Sequence, residues 1–219
     1  MEFNVKVILI GATGLVGKSL LEQLLADSSI EHVKVLARRA TGISHPRLSQ
    51  SIVNFDQLPD DNMFEGYDVL FSCLGTTVKI AKTRAAQYNV DFHMQYRVAE
   101  LACQSGVKNY VLLSSYGADT QSAVFYSRMK GELDTAVKKL KFEKVSIIRP
   151  SVLGGSRESL RIGETLLIGV LGFLSLIPWM KKYRPIDGRC VASAMINAAR
   201  ENQGGYHIYE LEDVFRLVK

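Results

Sequence analysis

The 219-residue chain is 47% hydrophobic and 22% charged, which excludes a disordered or fibrous protein and suits one folded domain with a sizeable core. Its formal charge of +5 would tolerate an anionic partner, but no basic run interleaved with aromatics points to nucleic acid. The surplus is assigned instead to a phosphorylated cofactor and ordinary surface lysines.

In chain order, Val5 to Ile10 is a short, nearly unbroken aliphatic run, the pattern of a strand buried on both faces. It leads into Gly11-Ala12-Thr13-Gly14-Leu15-Val16-Gly17, after which Leu20, Leu21, Leu24 and Leu25 recur at helical spacing. Strand, glycine turn and helix together make a dinucleotide-binding pattern. Gly11 permits the tight turn, Gly14 lets backbone approach a pyrophosphate, and Gly17 lets the helix sit close to the strand. Thr13, Leu15 and Val16 complete the expected phosphate turn, with the N–H groups of the helix's first turn facing the anion.

His32 to Ala37 reads as a second strand ending at Arg38 and Arg39, and residues 40–50 as a loop. Ser51 to Asn54 is expected to be a short third strand, followed by an acidic connection through Pro59, Asp60 and Asp61. Tyr67 to Leu74 is the fourth strand, and one long helix is expected over Thr83 to Gln104, stopped by Gly106. Asn109 to Leu113 is the fifth strand, Tyr126 to Leu140 an amphipathic helix, and Lys144 to Ile148 the sixth strand. Gly188 to Arg200 reads as a further helix and Tyr206 to Tyr209 as a final strand. Alternation of strands and helices predicts an α/β fold: a doubly wound, mostly parallel Rossmann sheet with helices on both faces. Residues 1–219 are expected to form one domain, with 154–187 a small substrate-side lid or cap within it.

Ligands of open α/β sheets bind beyond the carboxyl ends of the strands, so residues there carry the functional reading. At the end of the second strand an NAD site would place an acid for the ribose 2′-hydroxyl. Arg38 and Arg39 stand there instead, and guanidinium groups attract a 2′-phosphate. NADP(H) is therefore the expected cofactor. Ser114 and Ser115 end the fifth strand, and Tyr126 and Lys130 lie four apart on one helix face. An ammonium beside a phenol lowers its pKa, making a proton donor usable near neutral pH. A serine hydroxyl at the neighbouring strand end can polarise the same carbonyl oxygen. Cys73, Cys103 and Cys190, and His32, His45, His93 and His207, are scattered, so neither a disulfide framework nor a metal site is expected. With no signal-peptide pattern in MEFNVKVILIG, a cytoplasmic location is expected.

These motifs resemble the short-chain dehydrogenase/reductase superfamily over nearly the whole chain. The spacing of Gly11, Gly14 and Gly17 is similar to its extended and atypical branches. Phe71 to Thr77, Leu112 to Asp119, Tyr126 to Lys130 and Arg149 to Leu153 most resemble a small atypical group, the Tat-interacting oxidoreductases. The resemblance implies that Ser115, Tyr126 and Lys130 are catalytic, with Ser114 a rival to Ser115. It implies further that Lys130 binds the nicotinamide ribose, Leu74, Gly75 and Thr76 line the cofactor, and Asp56 sits near the adenine. Pro150, Ser151, Val152 and Leu153 would flank the nicotinamide, and Asn89 would support Lys130 through backbone and water contacts. The chain is shorter than most sugar-nucleotide epimerases, which weakens an epimerase reading.

The implied function is an NADPH-dependent oxidoreductase acting on a small or lipophilic carbonyl or alcohol. The alternative is an NADP(H)-sensing regulatory protein, a class in which the serine, tyrosine and lysine have no chemical duty. Thr165 to Met180 lacks charge, and Gly169, Gly172 and Pro178 interrupt it, so a lid or subunit contact is preferred to a peripheral membrane anchor. A homodimer is left open.

Overall fold

The computed structural model describes residues 5–58, 62–154 and 184–218. Its first strand, β1 (Val5–Ile10), sends successive side chains to opposite sides, and both sides are buried: Val7 and Leu9 enter one apolar cluster, Ile8 and Ile10 another. That explains the unbroken aliphatic run. The remaining strands are β2 (Ile30–Ala37), β3 (Leu48–Ile52), β4 (Val69–Ser72), β5 (Asn109–Leu113), β6 (Lys144–Arg149), β7 (Leu153–Gly154), β8 (Ile186–Asp187) and β9 (Gly205–Glu210). Seven of them form one sheet in the order β3-β2-β1-β4-β5-β6-β9, with every neighbouring pair parallel. The chain reverses its direction of travel across the sheet between β1 and β4, which opens a crevice at their carboxyl ends.

Helices cover both faces. On one side lie α1 (Leu15–Ala26), α6 (Gly188–Arg200) and the short α7 (Glu212–Leu217). Their apolar residues Leu20, Leu21, Leu24, Val191, Met195 and Val214 pack over Val7, Leu9, Val33 and Val35. On the other side, α4 (Gln95–Gln104) and α5 (Phe125–Val137) set Val98, Ala102, Leu133 and Val137 over Ile8, Ile10, Leu70 and Leu112. The doubly wound sheet is the architecture expected from the alternating pattern.

Several elements differ from the sequence expectation. β3 starts at Leu48, inside the stretch read as a loop, because LSQSI is an edge strand with no fully buried residue. The expected helix over Thr83 to Gln104 is built from α3 (Arg84–Tyr88), a π-helical turn at Asn89–Met94, and α4; the four-residue α2 (Val78–Ala81) precedes it. A π turn adds a residue to the helical repeat, and apolar spacing read at 3.6 residues per turn does not register it. Gly106, at φ +87°, does terminate α4. The connection through Pro59, Asp60 and Asp61 lies outside the described residues, as does residues 155–183, which holds most of the expected cap and all of Thr165 to Met180. What is described of that region is its two ends, drawn together by parallel pairing of β7 with β8.

Candidate active site

The glycine turn is built around close approaches that a side chain would destroy. Gly11 has φ +81°, and a Cβ there would lie 2.3 Å from the Cys73 carbonyl carbon; at Gly17 it would lie 2.1 Å from the Gly11 oxygen. The N–H of Gly14 closes the turn onto that same oxygen at 3.0 Å, and the first α1 bond runs from the Lys18 N–H to the Gly14 carbonyl at 2.9 Å. The N–H groups of Leu15, Val16 and Gly17 precede it, without intrahelical partners. This cradle fits a dinucleotide pyrophosphate: open backbone donors, a helix N-terminus and no Cβ in the way. Thr13 is exposed beside it, while the Val16 side chain is core, leaving only its backbone to offer.

Arg38 and Arg39 are exposed just beyond β2. Asp56 and Asn89, both expected to serve the cofactor, meet each other, with the Asn89 Nδ2 donating to Asp56 Oδ1 at 2.8 Å. Asn89 thus spends its side chain on Asp56, and the side-chain contact that Lys130 makes comes from elsewhere. That contact belongs to Asp91, two residues on, whose Oδ1 lies 3.5 Å from Lys130 Nζ. Residues two apart on a helix face different directions, which separates the two roles. Asp91 Oδ2 also accepts the Thr76 N–H at 2.8 Å, which fixes the Leu74-Gly75-Thr76 turn after β4.

The two serines after β5 separate in the same way. Ser114 is buried and its hydroxyl donates to Asp134 at 2.9 Å. Asp134 also accepts from Arg149 Nε at 2.8 Å, and Arg149 reaches Glu210 at 2.5 Å. Ser115 is partly exposed, and its hydroxyl makes a long contact of 3.4 Å to the Tyr116 carbonyl. Tyr126, in the first turn of α5, is 40% exposed, whereas Lys130 is 4% exposed. Burial works against the Lys130 charge, but Tyr126, Asp91 and Asp134 outweigh it and hold its pKa above the ordinary lysine value. The ammonium therefore persists at neutral pH. Gly131 lets the loop after β5 close onto α5: a Cβ would lie 2.5 Å from Asp119 backbone, and the Asp119 N–H bonds to the Ser127 carbonyl at 3.1 Å.

Past β6, the Pro150 carbonyl accepts from the Tyr116 N–H at 3.0 Å, the Ser151 hydroxyl donates to the Arg184 carbonyl at 2.6 Å, and the Val152 carbonyl accepts from the Ile186 N–H at 3.1 Å. Leu153 enters β7. Sequence reasoning missed Asp91, Gln95, Asp134 and Arg149. The available signal was polar residues in apolar helix phase: Asp91 and Gln95, and Lys130 and Asp134, are each four apart and each buried.

A family model described as NAD(P)H-binding matches residues 11–154. The chain is 33% identical to protein HTATIP2 of Rattus norvegicus, covering 99% of this chain and 90% of that protein. It is 34% identical to the mitochondrial protein FMP52 of Coccidioides immitis, covering 87% of this chain and 83% of the relative. Among solved structures, MoeE5 in complex with UDP-glucose and NAD superposes with a TM-score of 0.70 at 15% identity, over 97% of this chain and 80% of that one. That last likeness is one of fold. The expected cytoplasmic location is overturned by the fungal relatives, which in Coccidioides immitis, Aspergillus niger and Emericella nidulans are named mitochondrial. No helix among the described residues is long and apolar enough to cross a membrane.

Proposed function

Because this chain belongs to the NAD(P)H-binding family, within the atypical short-chain dehydrogenase/reductase group that includes HTATIP2, we propose that it is an NADPH-dependent oxidoreductase of small or lipophilic carbonyls and alcohols. The observation that carries this reading is Lys130, buried and held charged one helical turn past the solvent-facing Tyr126. A lysine kept only for structure has no need of an open phenol beside it.

In this reading the glycine turn binds the pyrophosphate, Leu74 to Thr76 and Pro150 to Leu153 flank the cofactor, and Lys130 holds the nicotinamide ribose. Bound NADPH supplies the hydride. Tyr126 gives its phenolic proton to the carbonyl oxygen as the hydride arrives, and the Lys130 charge stabilises the phenolate left behind. Ser115 donates a hydrogen bond to the same oxygen. Ser114 is already committed to Asp134, which supports Ser115 for the role.

NADPH is expected to bind more tightly than NADH, because Arg38 and Arg39 stand where an acid would select the 2′-hydroxyl. One charge-assisted hydrogen bond contributes about 1.5–3 kcal/mol, or roughly ten- to a hundredfold in affinity. Calorimetric titration of both cofactors against wild type and an Arg38→Ala, Arg39→Ala double variant checks this. Equal NADH affinity in the wild type overturns the preference. A panel of aldehydes, ketones and quinones with NADPH tests the reaction itself. Tight NADPH binding without turnover on any of them would favour a regulatory, NADP(H)-sensing role.

A further inference from the structure

Asp91 is a buried acid that the proposed chemistry does not use directly, and three separate observations converge on it. It is 1% exposed, inside the π-helical turn Asn89–Met94, and such turns recur at functional sites. One carboxylate oxygen pairs with Lys130 at 3.5 Å and the other accepts the Thr76 N–H at 2.8 Å. A Cβ on Gly75 would lie 3.2 Å from Asp91 Oδ1, so the carboxylate packs directly on the turn's backbone. Its own position is fixed in turn: Gln95 Nε2 donates to the Asp91 carbonyl at 2.7 Å, and Ser72, at the end of β4, donates to Gln95 Oε1 at 2.7 Å.

We propose that Asp91 is a positioning residue for the reaction: its single carboxylate fixes Lys130 and the Gly75-Thr76 backbone relative to each other, so that the ribose-binding ammonium and the cofactor-lining turn form one rigid unit. The proposal rests on the oxidoreductase reading given above for Lys130 and Tyr126. The sheet alone does not do this, since Lys130 comes from α5 and the turn from β4. Hydrogen bonds to a charged carboxylate are short-range and directional, so a neutral replacement keeps the shape and loses the hold.

Asp91→Asn tests it. NADPH affinity is expected to fall about tenfold or more, in line with the loss of one charge-assisted contact. Removing a negative charge also makes nearby protons easier to lose. The groups facing Lys130 are Tyr126, Asp91 and Asp134, with the Cys73 thiol also within its field. The alkaline limb of the carbonyl-reduction rate is therefore expected to move to lower pH, a shift with a sign that loss of packing does not dictate. Asp91→Glu keeps the charge and adds a methylene, so it covers the case in which Asp91→Asn fails to fold. It is expected to leave the alkaline limb near its wild-type pH while NADPH affinity drops severalfold. Tyr126→Phe, measured alongside, judges the reading on which the proposal rests. If that variant turns over like wild type, the reading fails and Asp91 is judged on NADPH affinity alone. Wild-type NADPH affinity in both Asp91 variants overturns the positioning role, whatever the fate of Tyr126.

Discussion

Tyr126→Phe is expected to lose roughly a hundred- to ten-thousandfold in kcat, the usual contribution of a general acid, while NADPH affinity stays near wild type. The phenol is 40% exposed in the first turn of α5, and removing its oxygen leaves the apolar ring and the glycine turn as they were. Lys130→Ala is expected to damage both parameters, because the buried ammonium is asked to stabilise the phenolate and hold the ribose. Ser115→Ala should reduce kcat with folding intact. Ser114→Ala should show its effect chiefly in stability, since that hydroxyl is spent on Asp134. Steady-state kinetics with calorimetric NADPH titration separates these outcomes. An active wild type matched in rate by Tyr126→Phe would remove the tyrosine from the mechanism.

Asp134→Ala is expected to give the largest loss of stability among the described charged residues. The carboxylate is 1% exposed and binds Ser114 and Arg149, and the Tyr206 hydroxyl reaches its backbone carbonyl at 3.3 Å. The single side chain thus ties α5 to the ends of β5 and β6. Burial pushes the Asp134 carboxyl up, against the pull of Arg149 and the Ser114 hydroxyl. Breaking a buried pair by removing one partner costs about 3–5 kcal/mol, because the other charge is left uncompensated. For a domain of this size each kcal/mol lowers Tm by about 2–4 °C, so a fall of roughly 6–20 °C is expected by calorimetry. The remaining bond from Arg149 to Glu210, whose side chain is 38% exposed, is too wet to make up the loss. A shift of a degree or less would show that the network holds nothing.

The sheet was legible because β1, β4, β5 and β6 are short, mostly apolar runs buried on both faces, as a doubly covered parallel strand places Val7 and Ile8 equally deep. The glycine turn was legible for a steric reason that leaves no alternative residue at Gly11 or Gly17. β3 was misplaced because it lies at the sheet edge with no fully buried residue to mark it, and its polar side chains bond locally; Gln50, for instance, is spent on Thr41 and Ile43. The site was legible as residue types at strand ends, but its wiring was not. Nothing local distinguishes Ser114 from Ser115 until α5 brings Asp134 against one of them. Nor does the sequence favour Asp91 over Asn89 until the π turn sets their directions.

The packing of α1 on α6 has a consequence for how the chain comes into being. Gln23 bonds to the Arg189 carbonyl and to Ser193, Leu15 lies against Gly188, and Leu20, Leu21 and Leu24 share a cluster with Val191, Ala194 and Met195. The helix that opens the phosphate cradle is thus covered by an element synthesised long after it. At about 5–20 residues per second, the leucine face of α1 waits roughly ten to thirty seconds on the ribosome for its partner. Such non-local pairings also slow folding itself, since loop-closure entropy is lost before the contact is gained. During that interval the part of the aliphatic face that α6 will cover stands open in the nascent chain, with only the early strands packed against the rest, which makes α1 a segment that a holding chaperone would shield until α6 emerges.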